Sequence, residues 1–421
     1  MNTIKNMKSL LIISNNVLSK TNNNGKTILS FIEGAKDARI SQLFLSGEVP
    51  RIKGYNYFRI SDKDIIRGLC RPNIRGTCME AIEDIEKVAD DFSVKKRFGR
   101  NNFTLIVREM LWRRKWKSKG LIDWLEAVSP DAIFFIAGDA CFAYSICEYI
   151  KDRYASRLTV YVTDDYVMPR KNEDLLYRIR RNQIDKHMKK ILRNASCFYT
   201  ISETMREAYR DRYGMDSFLA VNMTEDMKGE NKKECDEIIL TYAGSFYYKR
   251  DEVLFQIAKA IEKYNALNVK RKAKLLLYSN RIPEKEILNR LCISGSSEYK
   301  GSLNKEQLKK QLNSSDILVF VESLEEEQIE KVRYSLSTKV PEYLSIGKPI
   351  LAVGPKQVGS MKYLEDVAIC INENADIRDG VIRLLKDMDQ YRHYGNRARD
   401  KYLLCHNKED LQKTFLKNVL G

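Results

Sequence analysis

The feature that most constrains this chain is an alternation running through its whole length. Short apolar runs rich in Ile, Val, Phe and Tyr are separated by longer stretches of helical periodicity. Such runs read as strands, and their alternation with helices predicts βα units and parallel sheets. In the first half the expected strands cover 10–14, 42–46, 132–137, 159–163, 197–201 and 218–222. In the second half they cover 238–243, 274–278, 317–321, 350–353 and 367–371. Helices are expected between them, for example over 252–264, 305–312 and 376–389, with a last one over 408–420.

The polar segment 224–236 (TEDMKGENKKECD) divides the two series and is the expected linker. With 421 residues, 43% of them hydrophobic, the chain has apolar material for two cores. The expected class is α/β, with two Rossmann-like domains facing a cleft: an N-terminal domain over 1–224 and a C-terminal domain over 225–404. A terminal helix over 405–421 is expected to return toward the N-terminal domain. Ligands of such sheets bind beyond the C-terminal strand ends, so chemistry is sought in the loops that follow the strands. No run approaches the roughly 20 apolar residues of a spanning helix. The apolar run Leu10 to Ile13 is too short for a signal peptide and reads as the first strand. Nine single cysteines without a C-x-x-C pair, and three histidines without matching spacing, suit reduced cytosolic thiols rather than a metal site.

One segment of the second half stands out, Ser337 to Pro349 (STKVPEYLSIGKP). Pro341 suits the first turn of a helix, Gly347 ends that helix, and Pro349 stops it before the next strand. Ser337 and Thr338 offer hydroxyls and backbone N–H groups at the helix start, and Lys339 adds a cation, which together make an anion site. Glu342 in the first turn can accept two hydrogen bonds from a ribose diol. A well-capped structural helix, with Glu342 favouring the dipole, accounts for the same residues.

This segment closely resembles the S-T-K-x-x-E-Y-L-x-x-G-K-P-I block of bacterial retaining glycosyltransferases with the GT-B fold, the large Glu-x7-Glu, family 4-like group. The resemblance implies a nucleoside diphosphate sugar as donor substrate, no metal, no other cofactor, and retention of the anomeric configuration. It implies that Glu342 binds the donor ribose and that Ser337, Thr338 and Lys339 bind its diphosphate. The group's first Glu falls at Tyr334, so the chain departs from the group where the sugar is contacted. Glu327 or Glu330, in the acidic run that follows the strand at 317–321, could substitute from a loop; the run also reads as a solvated surface. Gly244, with Lys249 and Arg250 close behind it, resembles the Gly-Arg…Lys segment that holds the donor phosphates. Ser245 replaces the Arg there, so Lys249 or Arg250 would carry the charge. Tyr299-Lys300-Gly301 resembles the turn whose backbone meets the nucleobase.

The N-terminal domain is expected to hold the acceptor. After the first strand comes a polar loop and then a helix, with Asn24-Gly25 near the helix start, the geometry of a phosphate-cradling loop without Walker A spacing. In the resembling group this loop is Gly-rich and closes over donor phosphates and acceptor; a plain surface turn is the alternative. Asp139 follows one expected strand, and Asp164 and Asp165 follow another. A carboxylate there can orient a sugar hydroxyl or act as a base, while N-capping of the next helix explains each Asp equally well. His187, His393 and His406 form no triad with neighbours and read as structural or surface groups.

The formal net charge of +16 sits mainly in the first half and attracts phosphate-bearing partners. Two basic segments contribute. Trp112 to Lys119 mixes five cations with two tryptophans, and Arg178 to Arg193 sets seven cations beside an apolar stripe. Basic amphipathic helices with aromatics can lie on an anionic membrane surface; helices packing a core with a solvated charged face are the plainer reading of both segments. The expected function is transfer of a sugar from a nucleoside diphosphate to a hydroxyl of a glycan, lipid-linked, in surface polysaccharide assembly. The expected place is the cytoplasm, peripheral on the inner face of the membrane. Tyr334 keeps open a same-fold epimerase or a non-catalytic nucleotide-sugar binder. A nucleic-acid-binding protein is the rival from another class, and no recognised motif accompanies the charge.

Overall fold

The computed structural model describes residues 7–20, 23–35, 38–69, 75–82, 101–221, 223–229, 236–406 and 408–421. The chain divides into two units. The first comprises Met1–Ile201, Arg206–Ala220 and Glu409–Gly421; the second comprises Ser202–Met205 and Val221–Lys408.

In the first unit, eight described strands form one sheet: β1 (Lys8–Ser14), β2 (Ala38–Phe44), β3 (Asn56–Arg59), β4 (Thr77–Met79), β5 (Ala132–Ala137), β6 (Arg157–Val162), β7 (Cys197–Thr200) and β8 (Phe218–Leu219). Their order is β4-β3-β2-β1-β5-β6-β7-β8, and every pairing is parallel except the antiparallel β3–β4. Leu10, Leu11, Ile12 and Ile13 of β1 and Ile133, Phe134 and Phe135 of β5 are fully buried. Apolar side chains on both strand faces are what a parallel sheet covered on both sides requires. Phe31, from the helix Asn23–Ile32, packs on Tyr161 and Phe415, and Phe415 packs in turn on Phe134. Phe415 belongs to the last helix, Lys408–Leu420, which is tied to this unit from residue 409 onward. Lys8 Nζ donates to the carbonyls of Leu420 and Gly421, both at 2.8 Å, so a cation meets the negative end of that helix.

The second unit holds six described strands: β9 (Glu237–Ala243), β10 (Lys272–Tyr278), β11 (Ser297–Gly301), β12 (Ile317–Val321), β13 (Ile350–Val353) and β14 (Ile369–Ile371). They lie in the order β11-β10-β9-β12-β13-β14, all parallel. Leu254, Ile257 and Ile261 of the helix Arg250–Ala266 pack with Leu240, Leu275, Val319 and Leu351 of the sheet and with Val381 and Leu384 of the helix Asn374–Lys386.

Each sheet reverses its strand order once, between β1 and β5 in the first unit and between β9 and β12 in the second. Such switch points open a crevice at the carboxyl ends of the strands, and that is where open α/β sheets take ligands. Parallel pairing sets those ends along one edge of each sheet, so fold and candidate chemistry meet there.

Several expectations change at this level. Strands β3, β4 and β11 lie outside the expected set, and β2 begins four residues earlier than its apolar run suggested. The described part of segment 224–229 is not a free linker. Asp226 pairs with Arg399, Met227 N–H donates to Ser345 Oγ at 3.3 Å, and Gly229 N–H donates to Asn313 Oδ1 at 2.7 Å. These bonds fasten it to the second unit; residues 230–235 lie outside the described residues, as do Thr21, Asn22 and Asn222.

Candidate functional site

In the second unit the switch point carries a cluster of charge. Gly244 follows β9 directly, and its N–H donates to the Tyr278 carbonyl at 2.9 Å. A Cβ at Gly244 would lie 2.6 Å from Tyr242 Oη and 3.1 Å from Lys339 Cε, so only glycine lets the Lys339 chain lie against the turn. Tyr242 Oη donates to the Ser245 carbonyl at 2.6 Å, and Phe246 is buried between the rings of Tyr242 and Tyr299. Tyr248 and Lys249 then take left-handed backbone conformations, φ 60° and 59°, which bulky side chains rarely adopt. The turn leads straight into the helix Arg250–Ala266.

Arg250, on the first position of that helix, points back to the strand ends. Its Nε and Nη2 donate to Glu322 Oε2 at 3.0 and 2.7 Å, and its Nη1 donates to Ser245 Oγ at 3.2 Å. Glu322 follows β12, and its side chain is only 4% exposed. Burial pushes its carboxyl up, with the Arg250 charge opposing. Burial would lower Arg250, and the Glu322 carboxylate outweighs it, so the guanidinium is held above its ordinary value. Lys249, the other expected cation, faces solvent and pairs with Glu252 at 3.0 Å. Between the two, the geometry brings Arg250 into the cluster and leaves Lys249 outside it.

The helix Lys339–Ile346 starts at the same edge of the sheet. Thr338 is its N-cap without a side-chain capping bond, and Ser337 Oγ accepts a long 3.4 Å bond from Lys339 N–H. Tyr343 Oη accepts from the Ala243 N–H at 3.1 Å, tying this helix to the end of β9. Gly347 ends it with φ 74°. Desolvation, then the neighbouring Arg250 charge, holds the Lys339 ammonium below the usual lysine range. Among the described residues that ammonium makes neither a hydrogen bond nor an ion pair. Glu342, one turn along and partly buried, is close enough to favour the charge on Lys339. Ser337, Thr338, Lys339 and Glu342 therefore share one helix start with Gly244 and Arg250 beside it. Tyr334 stands in the loop ahead of that start, its carbonyl accepting from Ser202 Oγ at 2.6 Å. Glu327 is a surface residue paired with Lys331 at 2.7 Å. Tyr299 departs from expectation: it sits inside the edge strand β11 rather than in a turn, and Gly301, φ 86°, closes that strand.

The first unit presents a different arrangement. Asn24 and Gly25 stand in the first turn of the helix Asn23–Ile32, so Gly25 is near a helix start as expected. A Cβ on Gly25 would lie 2.3 Å from the Val17 carbonyl, so close packing, rather than phosphate cradling, accounts for the glycine. The loop before it is knit by the fully buried Gln42. That amide donates to Ser14 Oγ and the Asn16 carbonyl at 2.8 and 2.9 Å and accepts from Leu18 N–H at 3.1 Å. Asp139, after β5, is paired with the buried Arg180, whose Nη2 lies 3.4 Å from Asp139 Oδ2 and donates to the Asp139 carbonyl at 3.2 Å. Asp165 Oδ1 accepts from Val167 N–H and Met168 N–H at 3.1 Å each and from Tyr209 Oη at 3.2 Å. It is committed to shaping its own loop. For Asp164, burial first, then the Asp165 charge, raise the carboxyl above the ordinary value, against hydrogen bonds from Tyr166 and Thr163. The sheet thus brings Asp139 and Asp164 together and spends Asp165 on structure.

Both tryptophans of the basic segment are core residues. Trp112 is fully buried, donates to Asp62 Oδ1 at 2.6 Å and stacks on Phe142, while Trp116 packs on Tyr149. In the helix Leu175–Arg193, Arg180, Arg181 and Lys190 pair with Asp139, Glu173 and Glu148. Trp112 and Trp116 thus follow the core-packing reading of that segment, and part of the positive charge is balanced internally. His406 is fully buried against Tyr363, and no described helix is long and apolar enough to cross a membrane. A cavity of about 770 Å³, lined by Arg39, Lys53, Tyr55 and Glu80 among others, opens at the opposite, N-terminal ends of β1 to β3, away from where parallel sheets take ligands.

Two residues at the switch points escaped the sequence reading. Glu322 looks like the first member of an acidic surface run, and its partner Arg250 is 72 positions away. Asn15, at the end of β1, carries a buried Oδ1 with no hydrogen-bond partner among the described residues. Only the step from βα pattern to strand order could have singled them out.

No protein-family model matches the chain, and none of the curated proteins does. Solved structures do. The E. coli trehalose-6-phosphate protein bound with UDP-2-fluoro glucose is similar over 98% of both chains, at 13% identity and a TM-score of 0.60. The α,α-trehalose-phosphate synthase (UDP-forming) of Burkholderia xenovorans in complex with glucose-6-phosphate is similar over 98% of this chain and 100% of its own, at 12% identity and 0.59. HepE of Anabaena in complex with UDP and glucose is similar over 97% and 98%, at 9% identity and 0.58. At such identities the likeness is one of fold: two Rossmann-like domains of the GT-B class.

Proposed function

We propose that this chain is a glycosyltransferase that takes its donor, a nucleoside diphosphate sugar, at the switch point of the second unit. The observation that carries the reading is the cluster of Gly244, Arg250 and Lys339 at the start of the helix Lys339–Ile346. A desolvated ammonium without a partner and a guanidinium with donors to spare suit an incoming diphosphate. The fold shared with proteins solved with UDP, UDP-2-fluoro glucose and glucose supports the same reading. In it, Glu342 accepts the ribose hydroxyls, Ser337 and Thr338 face the phosphates, and Arg250 and Lys339 hold the charge that develops on the leaving diphosphate. Those cations take the part a divalent metal plays elsewhere, so transfer is proposed to be metal-independent.

The reaction is proposed to retain configuration. The acceptor oxygen bonds to the anomeric carbon, the bond from that carbon to the phosphate oxygen breaks, and the acceptor proton passes to the leaving phosphate. A protein base is then unnecessary, which suits a first unit where Asp139 is ion-paired and Asp165 is committed to its loop. The proposed acceptor is a hydroxyl of a glycan, lipid-linked, in surface polysaccharide assembly at the inner face of the membrane. Exposed Phe103, Val107 and Met110 on the helix Asn102–Trp112, and exposed Leu175, Leu176 and Ile179, support contact with lipid.

The test is a panel of nucleoside diphosphate sugars with glycan and lipid-linked acceptors, read by mass spectrometry with and without chelator. Transfer that survives chelator is expected. Strict Mg²⁺ dependence would sink the metal-free part, and tight binding without product would favour a non-catalytic binder. Sedimentation with anionic vesicles tests the lipid part; a protein that stays in the supernatant contradicts it.

A further inference from the structure

The second switch point holds one group that the donor reading leaves without a task. Glu322 is a carboxylate with a side chain 4% exposed, placed where β12 ends beside β9. Burying a carboxylate is costly, and an apolar residue of like size often serves a fold better. Its pairing is also lopsided. Both hydrogen bonds from Arg250 fall on Oε2, at 3.0 and 2.7 Å. Oε1 receives no hydrogen bond among the described residues. It is likewise not among the atoms sealed from solvent without a partner, so it retains an opening. A Cβ on Gly354, which follows β13, would lie 3.0 Å from Glu322 Cβ. The bare glycine backbone on that side leaves room for the Glu322 side chain.

A carboxylate with one oxygen on a guanidinium and the other open is a two-sided adaptor. One side fixes Arg250, which lies beside Lys339 at the same strand ends. The other side is an acceptor only, so it discriminates in favour of a hydroxyl donor. A second phosphate is disfavoured there by like charge. A neutral, hydroxyl-bearing group attached next to a phosphate satisfies both conditions.

Resting on the donor reading above, we propose that Glu322 is a specificity-determining residue: Oε2 positions Arg250 against the diphosphate while Oε1 accepts a hydroxyl of the sugar to be transferred. Nucleoside diphosphate and nucleoside diphosphate sugar then bind differently, and Glu322 is the reason. Free nucleotide feels the carboxylate only through Arg250 and as a nearby negative charge. The sugar nucleotide gains the extra hydrogen bond.

The experiment uses the full chain and its Glu322→Gln variant. Gln keeps an oxygen for Arg250 and removes the charge. The probes are UDP, GDP, ADP and dTDP, each alone and as its glucose, galactose, mannose or N-acetylglucosamine conjugate, titrated calorimetrically. For the pair that wild type binds best, the variant should lose preference for the conjugate over the bare nucleotide by roughly tenfold, as expected for one hydrogen bond to a charged group. Bare-nucleotide affinity should stay within about threefold or improve. Equal loss for both probes would overturn the sugar contact and leave Glu322 as a support for Arg250 alone. A wild-type chain that binds none of the probes would instead overturn the donor reading itself. Should Glu322→Gln unfold, Glu322→Asp serves: it keeps the charge, draws Oε1 back from the sugar and should lose the same preference.

Discussion

The two sheets reverse strand order at one place each, and what stands at the two places differs in how far it is already committed. Between β1 and β5 the polar groups are mostly spent on the protein. Gln42 knits the loop after β1, Arg180 holds Asp139, and Asp165 folds its own loop. Between β9 and β12 the balance is positive and unfinished. Arg250 is half engaged, by Glu322 and Ser245, and Lys339 is desolvated without a partner. Buried polar groups are normally satisfied; among the described residues the Lys339 ammonium is an exception in the second unit, as Asn15 Oδ1 is in the first. Two sheets of like topology thus carry unlike chemistry at their switch points: a desolvated cation with a half-engaged guanidinium in the second unit, and carboxylates largely engaged within the protein in the first.

The largest effect should follow from breaking the second site. Arg250→Ala leaves Glu322 buried and unpaired, and is expected to cost about 3 kcal/mol in denaturant unfolding. It should also weaken nucleoside diphosphate binding by roughly 100-fold. Lys249→Ala, on the exposed pair with Glu252, should change affinity by less than about twofold. Equal losses for the two variants would return Lys249 to the site.

Next is Lys339→Met. Removing a desolvated ammonium should leave the thermal midpoint unchanged or raise it, while calorimetry shows roughly 10-fold weaker nucleotide binding or worse. A large drop in stability with unchanged affinity would make Lys339 a structural residue and dissolve the contrast between the units.

On the first unit the expected effects are on folding. Gly25→Ala drives a Cβ against the Val17 carbonyl and should cost about 1–3 kcal/mol. Asn24→Ala, at an exposed position, should cost little. A thermal midpoint insensitive to Gly25→Ala would mean the segment is an adaptable loop, as the sequence alone suggested.

The smallest effect is a pH dependence. The Asp164 carboxyl lies above its ordinary value of 3.8, through burial first and then the Asp165 charge. The folded state therefore holds this proton more tightly than the unfolded state. Its contribution is present below the unfolded value and is lost as pH rises through the folded one. Relative to Asp164→Asn, wild type should lose stability as pH climbs from that value toward neutrality. Parallel melting curves across the range would show that Asp164 is not under that strain.

What could be read from the sequence follows burial. The runs at 132–137, 317–321 and 350–353 are apolar on both faces and match β5, β12 and β13 residue for residue. β3 (NYFR), β4 (TCM) and β11 (SEYKG) are short and partly exposed, and their strand character comes from the neighbour they pair with rather than from their own pattern. The helix start at Ser337 to Glu342 was legible because capping, proline and glycine signals are local. The Glu322–Arg250 pair was not, since nothing local links residues on different strand ends. Trp112 and Trp116 could be read two ways for a related reason: composition shows an amphipathic mixture, and only packing shows which side the rings take.

The deciding measurement is a crystal structure of the chain with a nucleoside diphosphate. The expected result places phosphate oxygens within hydrogen-bond distance of Lys339 Nζ and Arg250, with the ribose hydroxyls on Glu342. A nucleotide bound at the β1–β5 ends instead, or one that leaves Lys339 and Arg250 untouched, would contradict it.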